Sequence, residues 1–365
     1  MLGTPHYLID LARIGRNMER IAALEADSGA KSLLALKCFA TWSAFPAMRG
    51  AMAGTTSSSL YELRLGREKF GGETHAYSVA WAEHEMAEVA TLADKVIFNS
   101  LLQLDRFGPM VAALPQGLRV NPGISSSGFD LADPARPFSR LGEHDPEVVA
   151  HALGRVTGFM FHNNCENADF DLFDRMLGQI EARFGHLIGR MEWISLGGGI
   201  HFTGAGYPLE RLAARLARFA ADHGVQVYLE PGEAAITGAA TLEVTVLDTL
   251  WNGRNIAIVD ASTEAHMLDL LIYRQSARIE GPTGPHEWMI CGKSCLAGDV
   301  FGTFHLPAPL KAGDRISFAD AAGYTMVKKN WFNGLNMPAI VLREADGGLR
   351  VVRSFDYRDY AASLS

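Results

Sequence analysis

The chain has 365 residues, 48% of them hydrophobic and 20% charged, a globular composition with length for two domains and a sizeable core. Its net charge of −8 argues against nucleic acid and anionic membrane surfaces as partners. The four cysteines, Cys38, Cys165, Cys291 and Cys295, follow no zinc spacing, so no metal site is expected, and their scarcity fits a reducing compartment.

The first residues mix acids and bases around no long apolar core. Neither a signal peptide nor a bilayer-spanning run is visible, and a cytoplasmic location is expected. Tyr7-Leu8-Ile9 is a short strand standing apart from the segments after it. From about residue 13, apolar strand-like runs alternate with amphipathic helical stretches. The runs are Leu33–Lys37, Met52–Ser57, Thr74–Val79, Lys95–Asn99, Leu118–Asn121, Val156–His162, Glu192–Leu196 and Val225–Glu230. Such alternation predicts parallel strands joined by crossover helices, and eight units are what a (β/α)8 barrel needs. An open doubly wound sheet is the alternative, but no GxGxxG follows the first strand.

After about residue 236 strand-like segments succeed one another with turns between them. Thr241–Leu250 and Asn255–Asp260 flank Asn252-Gly253, a hairpin signal. His286–Ile290, Asp314–Phe318, Ala339–Arg343 and Leu349–Arg353 continue in the same style, the last two separated by Gly347-Gly348. The expected organisation is α/β: a barrel over 13–235, followed by a mainly antiparallel β domain over 236–365 that also takes the strand in 1–12.

In a barrel of this kind reactive groups sit at the carboxyl ends of the strands. Leu33-Leu34-Ala35-Leu36 runs straight into Lys37, and burial would lower that amine's pKa and free its lone pair for attack on a carbonyl. Lys37 is therefore the candidate Schiff-base nucleophile. Taken alone, a lysine that snorkels to water from the strand end is the commoner case. The sixth strand ends in His162-Asn163-Asn164-Cys165-Glu166-Asn167, the seventh in Gly197-Gly198-Gly199-Ile200-His201, and the eighth in Glu230-Pro231-Gly232-Glu233. Separately these read as a core histidine, a flexible loop and a helix cap. Together they describe the receptor for a phosphorylated, electron-withdrawing ring. Glycines approach the phosphate, a histidine packs on the ring, a carboxylate keeps the ring nitrogen protonated, and a lysine links to the aldehyde. That ring is pyridoxal 5'-phosphate.

These blocks resemble the alanine racemase and ornithine decarboxylase group of pyridoxal-phosphate enzymes. Ala35-Leu36-Lys37-Cys38-Phe39-Ala40, the HNNCEN block at 162–167, Leu196 to Phe202, Glu230-Pro231-Gly232-Glu233-Ala234 and Tyr324-Thr325-Met326-Val327-Lys328 are similar to the carboxynorspermidine (carboxyspermidine) decarboxylase branch. The resemblance implies a decarboxylase of polyamine biosynthesis with Lys37 bonded to the cofactor, His162 on its ring and Glu230 at its nitrogen. It implies Gly198, Gly199 and Tyr324 at the phosphate, with Cys165 close by. Wider relatives carry an arginine where this chain has Glu233, and a carboxylate beside a phosphate dianion would be repelled. Glu233 is thus expected to face a cation, and the resemblance makes it a substrate residue together with Asp269. Cys295 matches a cysteine that reaches a neighbouring subunit's site and protonates the product carbon, and Asp299 matches an acid that binds the substrate's distal amine. The resemblance also implies a homodimer with shared sites and a small polyamine-like substrate. Competing readings are a decarboxylase of diaminopimelate, ornithine or arginine, a non-catalytic pyridoxal-phosphate-binding regulator, and a barrel enzyme for a sugar phosphate.

Overall fold

The computed structural model describes residues 2–365. Two compact units emerge, one formed by Gly15–Ala235 and the other by the residues up to Ile14 with Ile236–Ser365. The strands in chain order begin with β1 (His6–Asp10). Next come β2 (Lys31–Ala35), β3 (Gly54–Ser57), β4 (Glu73–Tyr77), β5 (Lys95–Phe98), β6 (Gln116–Val120), β7 (Gly158–Phe161), β8 (Trp193–Ser195) and β9 (Gln226–Leu229). Strands β2 to β9 close into a parallel barrel, with Lys31 of β2 opposite Tyr228 of β9 at the seam. All eight apolar runs form barrel strands, and their carboxyl-terminal polar residues leave the ladder for the loops. Lys37 lies two residues past the end of β2, in the turn after it, rather than in the strand itself.

The helices around the barrel obey their sequence signals. In the helix Phe170–Ile188, the Asp169 side chain accepts the Asp171 and Leu172 N–H groups, and Phe173, Leu177, Ile180, Phe184 and Leu187 are buried along one face. The helix Leu209–His223 stops at Gly224, which takes a left-handed φ of 68°. Inside the barrel, Leu33, Tyr77, Ile97, Met160, Trp193 and Tyr228 pack together. Room for the indole comes from Gly158 of β7, where a Cβ would stand 2.1 Å from the Trp193 ring.

The amino-terminal end of the barrel is closed by polar groups. Glu73 accepts from Lys31 Nζ at 2.6 Å, Lys95 Nζ at 3.0 Å and Tyr228 OH at 2.9 Å, and pairs with His75 Nε2 at 3.2 Å.

The other unit holds β10 (Ala240–Trp251), β11 (Asn255–Val259), β12 (His286–Cys291), β13 (Val300–Leu306), β14 (Arg315–Ala319), β15 (Ala339–Arg343) and β16 (Leu349–Arg353). The strand order is β13-β12-β11-β10-β1-β15-β16, with β14 pairing β10 off this path. Most pairs are antiparallel; β1 with β15 and β11 with β12 are parallel. β10 serves two neighbourhoods. Its first half pairs β1 and β14, its second half pairs β11, and the register shifts between Val246 and Asp248 where it changes sides. The Asn252-Gly253 turn joins β10 to β11 with Gly253 at φ 70°. The sequence pattern does not mark β13, because a glycine, Gly302, interrupts its apolar run.

Candidate active site

At the carboxyl end of the barrel the Lys37 amine stands 3.4 Å from His162 Nε2. Burial, then the nearby Arg119 guanidinium, pushes the Lys37 pKa down, with Glu230 pulling the other way. Burial, together with Lys37 and Arg119, holds His162 well below the ordinary histidine range. The imidazole's orientation is set from behind. The Gly198 N–H donates to His162 Nδ1 at 3.1 Å, so in the neutral ring the proton belongs on Nε2, facing the lysine. Burial and the guanidinium thus both favour the uncharged amine, which is the nucleophilic form.

Glu230, 5% exposed, is fixed by Ser195 Oγ, which donates to its Oε1 at 2.6 Å, and by its own N–H to the Gly197 carbonyl at 2.8 Å. Ser195 in turn accepts the Gly197 N–H at 3.2 Å. The glycine run approaches its neighbours as closely as backbone allows. A Cβ on Gly198 would lie 2.3 Å from the Glu230 carbonyl, and one on Gly199 would lie 2.2 Å from that of Asn164. Because Gly198 already donates to His162, its contribution here is space and imidazole orientation rather than an outward N–H.

Sequence reasoning missed Arg119 and Tyr77, which line one cavity with Lys37, His162 and Glu230. Arg119, 5% exposed, donates to Tyr77 OH at 2.8 Å, and that hydroxyl donates to Asn99 Oδ1 at 2.8 Å. A charged residue inside the apolar run Leu118–Asn121 was the available signal, the same anomaly that singles out Lys37. Glu62 accepts the Ser58 N–H at 2.6 Å, and burial raises its pKa.

Cys165 lies in the loop after β7. Its N–H donates to Ser126 Oγ at 2.8 Å, that hydroxyl donates back to the Cys165 carbonyl at 3.0 Å, and burial pushes its thiol up. Glu233 begins the helix Glu233–Ile236 and has His201 Nε2 3.3 Å from its Oε2. Within this chain, the basic group opposite Glu233 is therefore a histidine.

The remaining predicted residues belong to the other unit. Asp269 Oδ1 accepts from Thr325 Oγ1 at 3.0 Å. Tyr324 holds a left-handed φ of 55°, and Lys328 Nζ sits 5.1 Å from its ring centroid. Cys295 is exposed, with its N–H on Asn333 Oδ1 at 2.6 Å. Asp299 is held by donors of its own unit. It is 3% exposed, and its oxygens accept from Thr263 N–H and Oγ1 at 2.7 and 2.8 Å and from Ser294 N–H and Oγ at 3.1 and 2.5 Å. Four donors hold the carboxylate, so it anchors the loop that carries Cys295.

A buried lysine whose pKa burial lowers, a carboxylate fixed by Ser195 in the same cavity and a glycine run packed against that carboxylate's backbone fit the aldehyde, ring nitrogen and phosphate of pyridoxal phosphate. The fold and this site define a barrel enzyme of the pyridoxal-phosphate class with an accompanying sheet domain. A family model described as pyridoxal-dependent decarboxylase, C-terminal sheet domain, matches residues 7–322. The chain is 58% identical to the carboxynorspermidine/carboxyspermidine decarboxylase of Herminiimonas arsenicoxydans over 365 residues, all of both chains. It is 35% identical to the carboxyaminopropylagmatine decarboxylase of Synechocystis, covering 100% of this chain and 96% of that one. The crystal structure of carboxynorspermidine decarboxylase from Campylobacter jejuni, complexed with norspermidine, superposes with a TM-score of 0.92 at 35% identity, covering 99% of this chain and 100% of the other. The chain belongs to the pyridoxal-dependent decarboxylases and, within them, to the carboxynorspermidine/carboxyspermidine decarboxylase family. It is an enzyme, and its cofactor is pyridoxal phosphate.

Proposed function

We propose that the enzyme decarboxylates carboxynorspermidine or carboxyspermidine, yielding carbon dioxide and norspermidine or spermidine. The observation that supports this reading is Glu233: an acid paired with a basic ring, a carboxylate suited to an ammonium group and not to a phosphate. A carboxylated triamine offers a secondary and a terminal ammonium, and Asp269 is the proposed partner for the second.

Pyridoxal phosphate, when bound, supplies a sink for the electron pair left as carbon dioxide departs. Lys37 would hold it through its amine, His162 against its ring, Glu230 at its nitrogen, and Gly198, Gly199 and Tyr324 at its phosphate, with Cys165 nearby. Burial and Arg119 lower the Lys37 pKa, which favours the uncharged amine that would hold the cofactor's aldehyde. Glu230, immobilised by Ser195, keeps a proton on the ring nitrogen. Cys295 is the proposed donor of a proton to the product carbon, from a neighbouring subunit of a homodimer.

Carbon dioxide release decides the matter. The panel is carboxynorspermidine, carboxyspermidine, carboxyaminopropylagmatine, diaminopimelate, ornithine and arginine. The first two should exceed the rest in kcat/KM by roughly tenfold or more, the worth of one well-placed charged hydrogen bond. A preference for any of the other four overturns the substrate reading.

A further inference from the structure

His201 stands just after the glycine run at the carboxyl end of β8, and its backbone is pinned. Its N–H donates to the Asn167 carbonyl at 2.9 Å, its carbonyl accepts the Gly204 N–H at 3.1 Å, and Ile200 bridges Asn167. The imidazole is thereby presented to Glu233, with Nε2 at ion-pair distance, 3.3 Å from Oε2. Nε2 is buried, yet the contact lacks the alignment of a good hydrogen bond. Charge holds the pair together more than geometry does. An ammonium with three rotatable donors can approach the same oxygen more linearly than a ring fixed on a pinned backbone.

We propose that His201 competes with a substrate ammonium for the Glu233 carboxylate, so that uptake of the amine expels a proton from the imidazole. The exchange balances. The imidazolium Nε2–H contact to Oε2 breaks, an N–H···Oε2 contact from the ammonium forms, and the imidazole proton leaves to solvent. His201 is then a positioning residue that makes polyamine recognition depend on pH while taking no part in bond breaking.

The surroundings support this. Glu233 raises the imidazole above its ordinary 6.5 against the opposing effect of burial, and Glu166 adds to the pull. The charged and titratable groups facing the pair are Glu166 and Cys165 from the loop after β7, and the Lys37 amine acts on Cys165 from the loop after β2. Glu166, exposed and at a left-handed φ of 46°, is the second carboxylate of the cluster. Below its raised pKa the imidazolium neutralises Glu233 and amine binding is weak. Above it the ring is uncharged, competes less for the carboxylate, and binding is strong. Alkyl ammonium groups titrate near 10, so they stay charged through this window.

This inference rests on the proposed polyamine reading, and the experiment separates the two. Norspermidine is titrated calorimetrically into the holoenzyme between about pH 6 and 8, in buffers of different ionisation enthalpy, with turnover of carboxynorspermidine measured on the same preparation. The wild type should release up to about one proton per ligand and bind up to about tenfold more tightly for each pH unit gained. In His201→Asn the release should vanish and the KM should become flat over that range. Turnover without proton release from the wild type overturns the competition alone, and so does release that persists in His201→Asn. Absence of both binding and turnover overturns the polyamine reading with it. The wild-type measurement decides the question even should the variant fail to fold.

Discussion

The proposed reactivity of Lys37 depends on three neighbours that its own stretch of sequence does not contain. Burial and the Arg119 charge disfavour the ammonium, and the His162 Nε2–H, aimed by the Gly198 amide, favours an amine that can accept. Replacing Lys37 with alanine should abolish the cofactor-linked visible absorbance and reduce turnover by a factor on the order of 10^3–10^4. Absorbance spectra and single-turnover carbon dioxide release check both. His201 and Glu233 show the same logic at the rim, where an acid unsuited to a phosphate finds a basic partner. Lys37, His162 and Glu230 were legible in sequence because each ends an apolar run, where a polar side chain is conspicuous. Ser195 was not, since a serine at a strand end is unremarkable until a carboxylate 35 residues away meets its hydroxyl.

Elements separate stability from chemistry along the barrel axis. Strand carboxyl ends carry Lys37, Arg119, His162 and Glu230, whereas the strand starts carry Lys31, Glu73 and Lys95, closed around one carboxylate. His75 first, then Lys31, Lys95 and Tyr228, hold the Glu73 carboxyl far below the usual carboxylate range despite partial burial. A depressed native pKa gives stability that is complete above the unfolded value of about 4.3 and drains away as pH falls below it. Glu73→Gln should cost about 3 kcal/mol, since it strands two ammonium groups at a half-buried site. Urea unfolding at neutral pH measures that loss. The same experiment near pH 3 should show a smaller difference between the two proteins, because unfolding of the wild type then gains a proton at Glu73 that the folded state still refuses, a drain on stability the variant does not have. Strand order in the sheet unit was less legible than the barrel. The bulge in β10 depends on which strands lie on either side of it, and local pattern carries no record of that.

For the whole molecule, the proposed homodimer makes the site a joint construction. Cys295 is exposed on its own chain, and the loop bearing it is tied down by Asp299. Mixing Lys37→Ala subunits with Cys295→Ala subunits should restore about a quarter of wild-type activity, because half the dimers are mixed and each mixed dimer has one whole site. Recovery should be absent when either variant is assayed alone, and activity of the refolded mixture is the measurement. No helix among the described residues is long and apolar enough to cross a membrane. The sequence by itself determined the class of fold, because eight alternations of strand and helix are local patterns set by side-chain periodicity. It also determined the cofactor, because a lysine, a glycine run and a carboxylate each stand at a strand end where the chain order can be read directly. Only the tertiary structure decided which polar groups become partners: Arg119 with Tyr77, Ser195 with Glu230, His201 with Glu233, Asp299 with Thr263 and Ser294. Those pairs join distant strands and loops. Their energies come from burial and charge, which exist only after the barrel has closed and the sheet has paired.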